Sequence, residues 1–203
     1  MKNNYTKMLS AIALVALAAF SSCSKDETMP SNPGSSGETV KTVKNTAADP
    51  NNTGHYTFFS IRENKEIALV DSPTTKWDIA FRTTNIIING GSSGPGMGAA
   101  QVVATTFNDL KEAPADGYSV DSPQGKAIPT GSGNGWYNYD QTTNVISPIP
   151  GRVIVVKTAD GKYAKIEILS YYKDAPANPT SADQARYYAF RFSYQPDGSR
   201  KFK

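Results

Sequence analysis

Apolar and polar positions alternate with a period of two along most of residues 56–194, the spacing of a β-strand whose two faces differ. At residues 77–82 the apolar side chains Trp77, Ile79 and Phe81 alternate with smaller or polar ones, which predicts a core tryptophan and an outward Asp78. Similar runs predict strands at residues 56–61, 85–88, 101–106, 152–158, 162–172 and 187–194. The pattern therefore predicts an all-β domain of antiparallel strands, with at most one short helix, at residues 107–112.

A turn-forming dipeptide separates two of the longest predicted strands. Asp160-Gly161 favours the positive φ angles of a tight hairpin turn, so the strands on either side are predicted to pair with each other. The buried face of the second strand is predicted to carry Ala164, Ile166 and Ile168. Lys165 and Glu167 are expected on the opposite, polar face.

The N-terminal segment has the features of a secretion signal. Lys2 and Lys7 precede an apolar run at residues 9–20, which is shorter than the roughly 20 residues that a membrane-spanning helix needs. The run ends before Ser22-Cys23, which resembles a bacterial lipobox, where the chain is cut before a cysteine that is then lipidated. We therefore predict that residues 1–22 are a lipoprotein signal peptide and that Cys23 carries the lipid.

The segment that follows Cys23 is predicted to be a flexible tether over residues 23–50. It is rich in Pro, Gly and Ser and has too few large apolar residues to offset the entropy of ordering. Val40 and Val43 are the residues that an edge strand would use here. Acidic residues at 26–27 resemble the surface-export signal of Bacteroidetes lipoproteins. This resemblance implies an outer-membrane protein, held by its lipid anchor only and facing the cell exterior, with one β domain at residues 51–203.

Composition excludes several classes of function. The formal net charge is +3 and no cluster of Lys and Arg stands out, so binding of nucleic acid is not expected. The single Cys excludes a disulfide framework within the chain and a Cys-rich metal site, and the single His, His55, excludes an all-histidine metal centre. His55 is expected to be an exposed or hydrogen-bonded histidine.

Enzymatic chemistry finds no support in the sequence. The chain has no GxSxG or HExxH motif, and its one cysteine stands at the predicted lipidation position. No pair of carboxylates is singled out for glycoside hydrolysis. We therefore expect a binding protein and no catalytic residues.

Six blocks of sequence, taken in order, are similar to the HmuY family of Bacteroidetes haem-binding lipoproteins. They lie at residues 77–81, 89–100, 117–121, 135–136, 152–156 and 159–166. The resemblance implies a fold of two layered antiparallel sheets with projecting loops that grip a ligand. It also implies that the protein binds haem or another porphyrin and passes it to a TonB-dependent outer-membrane receptor.

The chain departs from the best-known family member at the haem ligands. That member holds haem between two histidines, and the resemblance places the first of them between Val120 and Gly135, where this chain has neither His nor Met. The second position falls near Gln141. Ligation by two histidines is therefore not expected, and haem is a candidate cofactor that would need other contacts.

Two glycine-containing loops supply the candidate contacts. In the glycine loop, residues 90–98, Gly96 would let a flat ligand approach and the Met97 thioether could ligate haem iron. In the aromatic loop, residues 131–139, Trp136, Tyr137 and Tyr139 could stack on the ligand. The hypothesis is that both loops close over one macrocycle. Structural roles are the alternative: Met97 would fill an apolar gap and Trp136 would anchor the core.

The same loops also fit other functions. A surface adhesion or carbohydrate-binding β module would use the aromatic side chains without haem. A family member that only pairs with the receptor is a third possibility, and the sequence does not rank it against the second.

Overall fold

The computed structural model describes residues 39–202 of the chain. The predicted signal peptide, Cys23 and the predicted tether up to residue 38 lie outside the described residues. No helix among residues 39–202 is long and apolar enough to cross a membrane.

Over these residues the chain forms β-strands and one short 3₁₀ turn at Leu69–Asp71. In chain order, the strands are β1 (Val40–Ala47), β2 (Thr57–Ser60), β3 (Lys65–Ile67), β4 (Ile79–Arg82), β5 (Asn85–Ile88), β6 (Ala99–Ala104), β7 (Tyr137–Asp140), β8 (Val145–Pro148), β9 (Arg152–Lys157), β10 (Tyr163–Tyr172) and β11 (Ala185–Gln195). They form a five-stranded sheet in the order β1-β11-β10-β9-β6, a four-stranded sheet in the order β3-β2-β4-β5, and the β7–β8 hairpin. All strand pairs are antiparallel, which confirms the predicted fold class.

The main core lies between the two larger sheets. The ring of Phe59 on β2 lies 5.3 Å from Phe190 and 6.1 Å from Phe192 on β11, and Phe81 on β4 lies 5.3 Å from Phe190. Burying a side chain of this size stabilises the fold by roughly 1.5–3 kcal/mol. The alternation that predicted these strands thus reports the face that each sheet turns toward the other.

The outer face of the five-stranded sheet is covered as well, which the sequence did not predict. Phe107, Val153, Val155 and Phe202 form a second, smaller core there. Lys165, expected on a polar face, is fully buried beneath it, and its ammonium group donates to the carbonyls of Phe107 at 2.7 Å and Leu110 at 2.9 Å. The prediction of a polar face on this strand is wrong at Lys165, because the loop after β6 and the C-terminal segment fold over it.

The helix predicted at residues 107–112 is also wrong. The chain forms only a turn at residues 107–109, where the Thr106 hydroxyl donates to the Asp109 carboxylate at 2.7 Å. Three residues after that turn, Glu112 forms an isolated antiparallel bridge with Lys201. The amide of Ala113 donates to the Arg200 carbonyl at 2.8 Å, so the segment pairs with the C-terminus instead of continuing a helix.

Strand β1 corrects the limit predicted for the tether. The predicted tether ends at residue 50, whereas the strand begins at Val40 and pairs with β11 from Val40 to Ala47. Val43 packs against the main core and Ala48 is buried. The edge strand suggested by Val40 and Val43 is therefore present, and the folded domain includes about ten residues that composition had placed in the tether.

Candidate ligand-binding loops

Asn89 organises the glycine loop from inside the protein. Its side-chain amide donates to the carbonyls of Thr74 at 2.9 Å and Trp77 at 2.8 Å, and its side-chain oxygen accepts from the amide of Gly96 at 2.9 Å. The residue is completely buried. A buried amide with all these partners fixes the path of the loop.

The glycines of this loop serve close packing of the backbone. A Cβ atom at Gly90 would clash with the carbonyl of Gly98, and a Cβ at Gly98 would clash with the carbonyl of Asn89. At Gly96, a Cβ would stand 2.8 Å from the Cβ of Ala159. These glycines are therefore required by contacts within the protein, and their presence does not by itself indicate a ligand.

Met97 lies on the surface. Its side chain is 65% exposed, and its backbone amide donates to the Ala159 carbonyl at 3.0 Å. Its methyl group lies over Gly161, within 3.1 Å of where a Cβ would stand. The thioether thus covers the β9–β10 turn and does not fill an apolar gap in the core.

Trp136 and Tyr137 are structural residues. The indole of Trp136 is 2% exposed, donates to the carbonyl of Thr84 at 3.0 Å, and packs 5.1 Å from the ring of Tyr188. Tyr137 lies beside it, with 4.9 Å between the ring centres, and is also buried. Neither ring offers a free face, so the expectation that they stack on a ligand is corrected: they anchor the β7–β8 hairpin in the core.

Tyr139 and Gln141 are the predicted contact residues of the hairpin that solvent reaches. Tyr139 is 41% exposed and its hydroxyl donates to the side-chain oxygen of Asn144 at 2.6 Å. Gln141 lies in the turn between β7 and β8. Hydrogen bonds from Thr143, and to a lesser extent Thr142, hold the pKa of Asp140 below its usual value. The tip of this hairpin is therefore a polar surface with one accessible aromatic ring.

Arg152 fixes the first part of the aromatic loop. Its guanidinium group donates to the carbonyls of Gly133 at 3.3 Å, Asn134 at 3.2 Å and Gly135 at 3.0 Å. The Ser132 hydroxyl accepts from the amide of Tyr139 at 2.8 Å. The loop and the hairpin therefore form one connected surface.

The structure does not bring the two predicted loops together. On the β6–β9 pair, Ala99 lies opposite Lys157 and Ala104 lies opposite Arg152. Met97 lies two residues before Ala99, at the first of these pairs. The aromatic loop accepts hydrogen bonds from Arg152, at the second pair. Five residue steps along a strand, at roughly 3.3 Å each, separate the two ends by about 17 Å. The two loops therefore start from opposite ends of the β6–β9 pair, and a single cleft that uses both stays a prediction.

Asp78 is a buried residue that the sequence placed on the outside. Its carboxylate accepts hydrogen bonds from the amides of Ile61 at 2.7 Å and Ala159 at 2.9 Å, which join the four-stranded sheet to the β9–β10 turn. Burial raises the pKa of Asp78, and the bonds from Ala159 and Ile61 oppose that shift. The expectation failed because both faces of β4 are covered, the outer one by the cluster that contains Trp77.

Asp121 has a comparable role near the glycine loop. It is buried and accepts from the amides of Ile88 at 3.1 Å and Ala127 at 2.8 Å. Asp78, Asn89 and Asp121 each lie in a sequence block that is similar to the HmuY family. A polar residue inside or beside an apolar run was the signal that could have identified them.

His55 is exposed beside a cavity of about 210 Å³ whose lining also includes Asp49, Pro50 and Tyr56. Between residues 39 and 202, no group of three or more His, Cys, Asp or Glu side chains is placed to hold a metal ion.

The fold is that of a two-layered antiparallel β protein. The chain belongs to the HmuY family: the family model described as "HmuY protein" matches residues 52–192. This family is associated with haem binding. No curated protein sequence matches the chain.

Solved structures share the fold. The apo HmuY analogue of Tannerella forsythia is 17% identical, with a TM-score of 0.53 over 79% of this chain and 96% of that one. Apo PinO of Porphyromonas gingivitis is 17% identical, with a TM-score of 0.51 over 78% and 98%. A protein of Bacteroides fragilis described as a lipoprotein is 17% identical, with a TM-score of 0.50 over 80% and 95%. Identities this low establish similarity of fold alone.

Proposed function

We propose that this protein is a surface lipoprotein that binds haem or a related tetrapyrrole and passes it to a TonB-dependent outer-membrane receptor. The observation that carries the proposal is the family match, which extends over residues 52–192. The lipobox-like Cys23 and the acidic residues after it support the outer-membrane location. The lipid on Cys23 is the only membrane attachment in this proposal, and the protein has no catalytic role.

We place the ligand on the exposed surface formed by the aromatic loop and the β7–β8 hairpin. Of the two positions that the family resemblance assigns to haem ligands, the second falls near Gln141 in the hairpin. The first falls within residues 121–134, of which residues 131–134 belong to the aromatic loop. The bond between Ser132 and Tyr139 joins the two segments. Tyr139 offers a phenol, a group that ligates ferric haem in other proteins, and an accessible ring face for the macrocycle.

Titration of the purified protein with haemin, in both oxidation states of the iron, tests the proposal. We expect a Soret band that differs from that of free haemin and quenching of tryptophan fluorescence. A spectrum indistinguishable from free haemin, with no quenching, would contradict haem binding.

Two variants test where the haem lies. Tyr139→Phe keeps the ring and removes the hydroxyl, so the ferric spectrum should change and affinity should fall by about tenfold if the phenol ligates iron. Met97→Ala is the matched control, because Met97 precedes the end of the β6–β9 pair opposite to the one that holds the aromatic loop. If Met97→Ala changes the spectrum of the reduced form and Tyr139→Phe changes neither the ferric spectrum nor the affinity, the ligand lies on the glycine-loop side instead.

A carbohydrate-binding module is the second candidate. One observation favours it: the exposed Tyr139 lies in a hairpin whose residues 138–144 also carry amides, hydroxyls and a carboxylate, and sugars bind to a combination of an apolar face and polar groups. A glycan array separates the two candidates. Glycan binding that Tyr139→Ala abolishes, together with a negative haemin titration, would favour this function.

A further inference from the structure

A pocket of about 350 Å³ opens where β1 begins and β11 ends. Among residues 39–202 it is lined by Thr39, Lys41, Arg62, Phe192, Tyr194 and Pro196. We call it the Tyr194 pocket. Its volume lies at the lower end of the range of small-molecule sites, roughly 300–1,000 Å³. Two aromatic rings and a proline ring supply an apolar lining, and two cationic side chains supply positive charge.

Tyr194, one of the residues that line this pocket, carries a buried hydroxyl group. The phenolic oxygen of Tyr194 is out of contact with solvent and has no hydrogen-bond partner within the described part of the chain. Burial raises the pKa of Tyr194 to about 12, so the group remains a neutral donor at physiological pH. A buried donor without a partner costs roughly 1–3 kcal/mol, and a ligand that accepts from it would recover that cost.

Arg62 has unused bonding capacity at the same place. Its nitrogens lie 3.6 Å from the carboxylate of Glu63 and 3.8 Å from that of Asp160, both longer than a normal hydrogen bond. The side chain is about half exposed. The planar guanidinium group can therefore turn toward a ligand carboxylate and bind it through two parallel hydrogen bonds. Lys41 adds a second positive charge to the lining.

We propose that the Tyr194 pocket binds a small amphipathic carboxylate. Arg62 and Lys41 pair with the carboxylate, the hydroxyl of Tyr194 donates to it, and Phe192 and Pro196 contact the apolar body. The ligand is smaller than a tetrapyrrole, because the pocket cannot enclose a macrocycle. This site lies at the β9–β10 turn side of the molecule, since Arg62 neighbours Asp160 in that turn. The proposal is therefore independent of haem binding at the β7–β8 hairpin.

Calorimetric titration of the full chain with dodecanoate and with dodecanol tests the charge requirement. Both probes carry the same apolar tail, and only the first carries a carboxylate. We expect dodecanoate to bind with one-to-one stoichiometry and dodecanol to bind at least about tenfold more weakly, because it cannot pair with Arg62.

Three variants assign the binding to the pocket. Arg62→Gln should weaken dodecanoate binding by about tenfold or more, and Tyr194→Phe by about threefold or more. Lys44→Gln removes another exposed cation from β1 that does not line the pocket, and it should leave the affinity within about twofold. Circular dichroism of each variant shows whether the fold is retained.

Three outcomes would overturn the proposal. The first is no heat of binding with dodecanoate. The second is equal affinity for dodecanol, which would indicate nonspecific apolar adsorption. The third is equal weakening by Arg62→Gln and Lys44→Gln, which would indicate a general effect of net charge.

Discussion

At the scale of single residues, buried polar groups connect parts of the chain that are far apart in sequence. Asp78 joins Ile61 to Ala159 through its two carboxylate oxygens. Lys165 joins β10 to the loop after β6 through its ammonium group, which also lies 4.4 Å from the ring centre of Phe107. These bonds join segments that are far apart in sequence, so they form only in the folded arrangement, and a buried polar group left without them would be costly.

Asp78→Asn should destabilise the protein. One of the two amide N–H groups that face the carboxylate would then meet an NH₂ group, which cannot accept. We expect a loss of roughly 1–3 kcal/mol in the free energy of unfolding at about pH 7, measured by urea denaturation. Unchanged stability would show that the two bonds do not hold the sheets together.

The same pair of proteins tests the pH dependence. Burial raises the folded-state pKa of Asp78 above its unfolded value of 3.8. A raised carboxyl pKa contributes stability that is fully present below the unfolded value and is lost as the pH rises through the folded value. The Asp78→Asn variant lacks this titration. The free energy of unfolding of the unmodified protein should therefore exceed that of the variant by an increasing amount as the pH falls from neutral toward 3.8. A difference that narrows in acid would contradict this sign.

At the scale of elements, the β9–β10 turn depends on a glycine. Gly161 has φ +78° and its amide donates to the Thr158 carbonyl at 2.9 Å. The sequence predicted this turn correctly, because Asp-Gly is a local signal that needs no information from the rest of the fold.

Gly161→Ala should cost roughly 1–2 kcal/mol of unfolding free energy, because an L side chain is strained at positive φ. The added Cβ would also stand 3.1 Å from the methyl group of Met97. Gly125→Ala is the control: nothing lies within 4 Å of its Cβ position, so its effect should stay within about 0.5 kcal/mol. Thermal and urea denaturation measure both, and equal effects would contradict the role given to the turn.

Truncations test the N-terminal limit of the domain. Deleting residues 1–38 should change the melting temperature by no more than about 2 °C, because β1 stays intact. Deleting residues 1–48 removes β1 and exposes the long edge of β11, so we expect a lower melting temperature and self-association, seen by light scattering. A stable monomer without β1 would contradict the inclusion of β1 in the folded domain and would support a domain that begins near residue 50.

Strand periodicity predicted the inner faces of β4, β10 and β11, since alternation is a local property of each strand. It could not predict the outer faces. Lys165 read as solvent-facing because the segments that cover it come from distant parts of the chain. Asp78 read so because one of its partners, the amide of Ala159, is 81 residues away. For strand β1, Val40 and Val43 suggested an edge strand but not its full extent, because an edge strand buries only part of one face and polar residues surround them.

At the scale of the whole molecule, the positions of the loops follow from topology and not from sequence pattern. The glycine loop precedes β6, and Arg152 at the start of β9 holds the aromatic loop. Because β6 and β9 are antiparallel partners, these two points lie at opposite ends of the pair. The sequence indicates residues of a suitable chemical type, but a local pattern does not show that the two loops lie at opposite ends of a strand pair or that Trp136 is enclosed.

Membrane attachment also belongs to this scale, because one lipidated residue would position the entire domain. Cys23→Ser should move the protein from the membrane fraction to the soluble fraction and abolish labelling with radioactive palmitate, since each buried CH₂ of an acyl chain contributes about 0.8 kcal/mol. Ser24→Ala is the matched control and should remain in the membrane fraction. A Cys23→Ser protein that stays with the membrane would contradict the lipid anchor.

The C-terminal segment lies against the second core. The ring of Phe202 is buried, and its amide donates to the Lys111 carbonyl at 2.9 Å. An affinity tag or fluorescent reporter fused after Lys203 would therefore begin one residue from the buried ring of Phe202, and we expect it to disturb the packing of that ring. Fusion partners for expression and imaging are better inserted upstream of β1, in the segment around residues 30–37, where they leave this closure of the outer face intact.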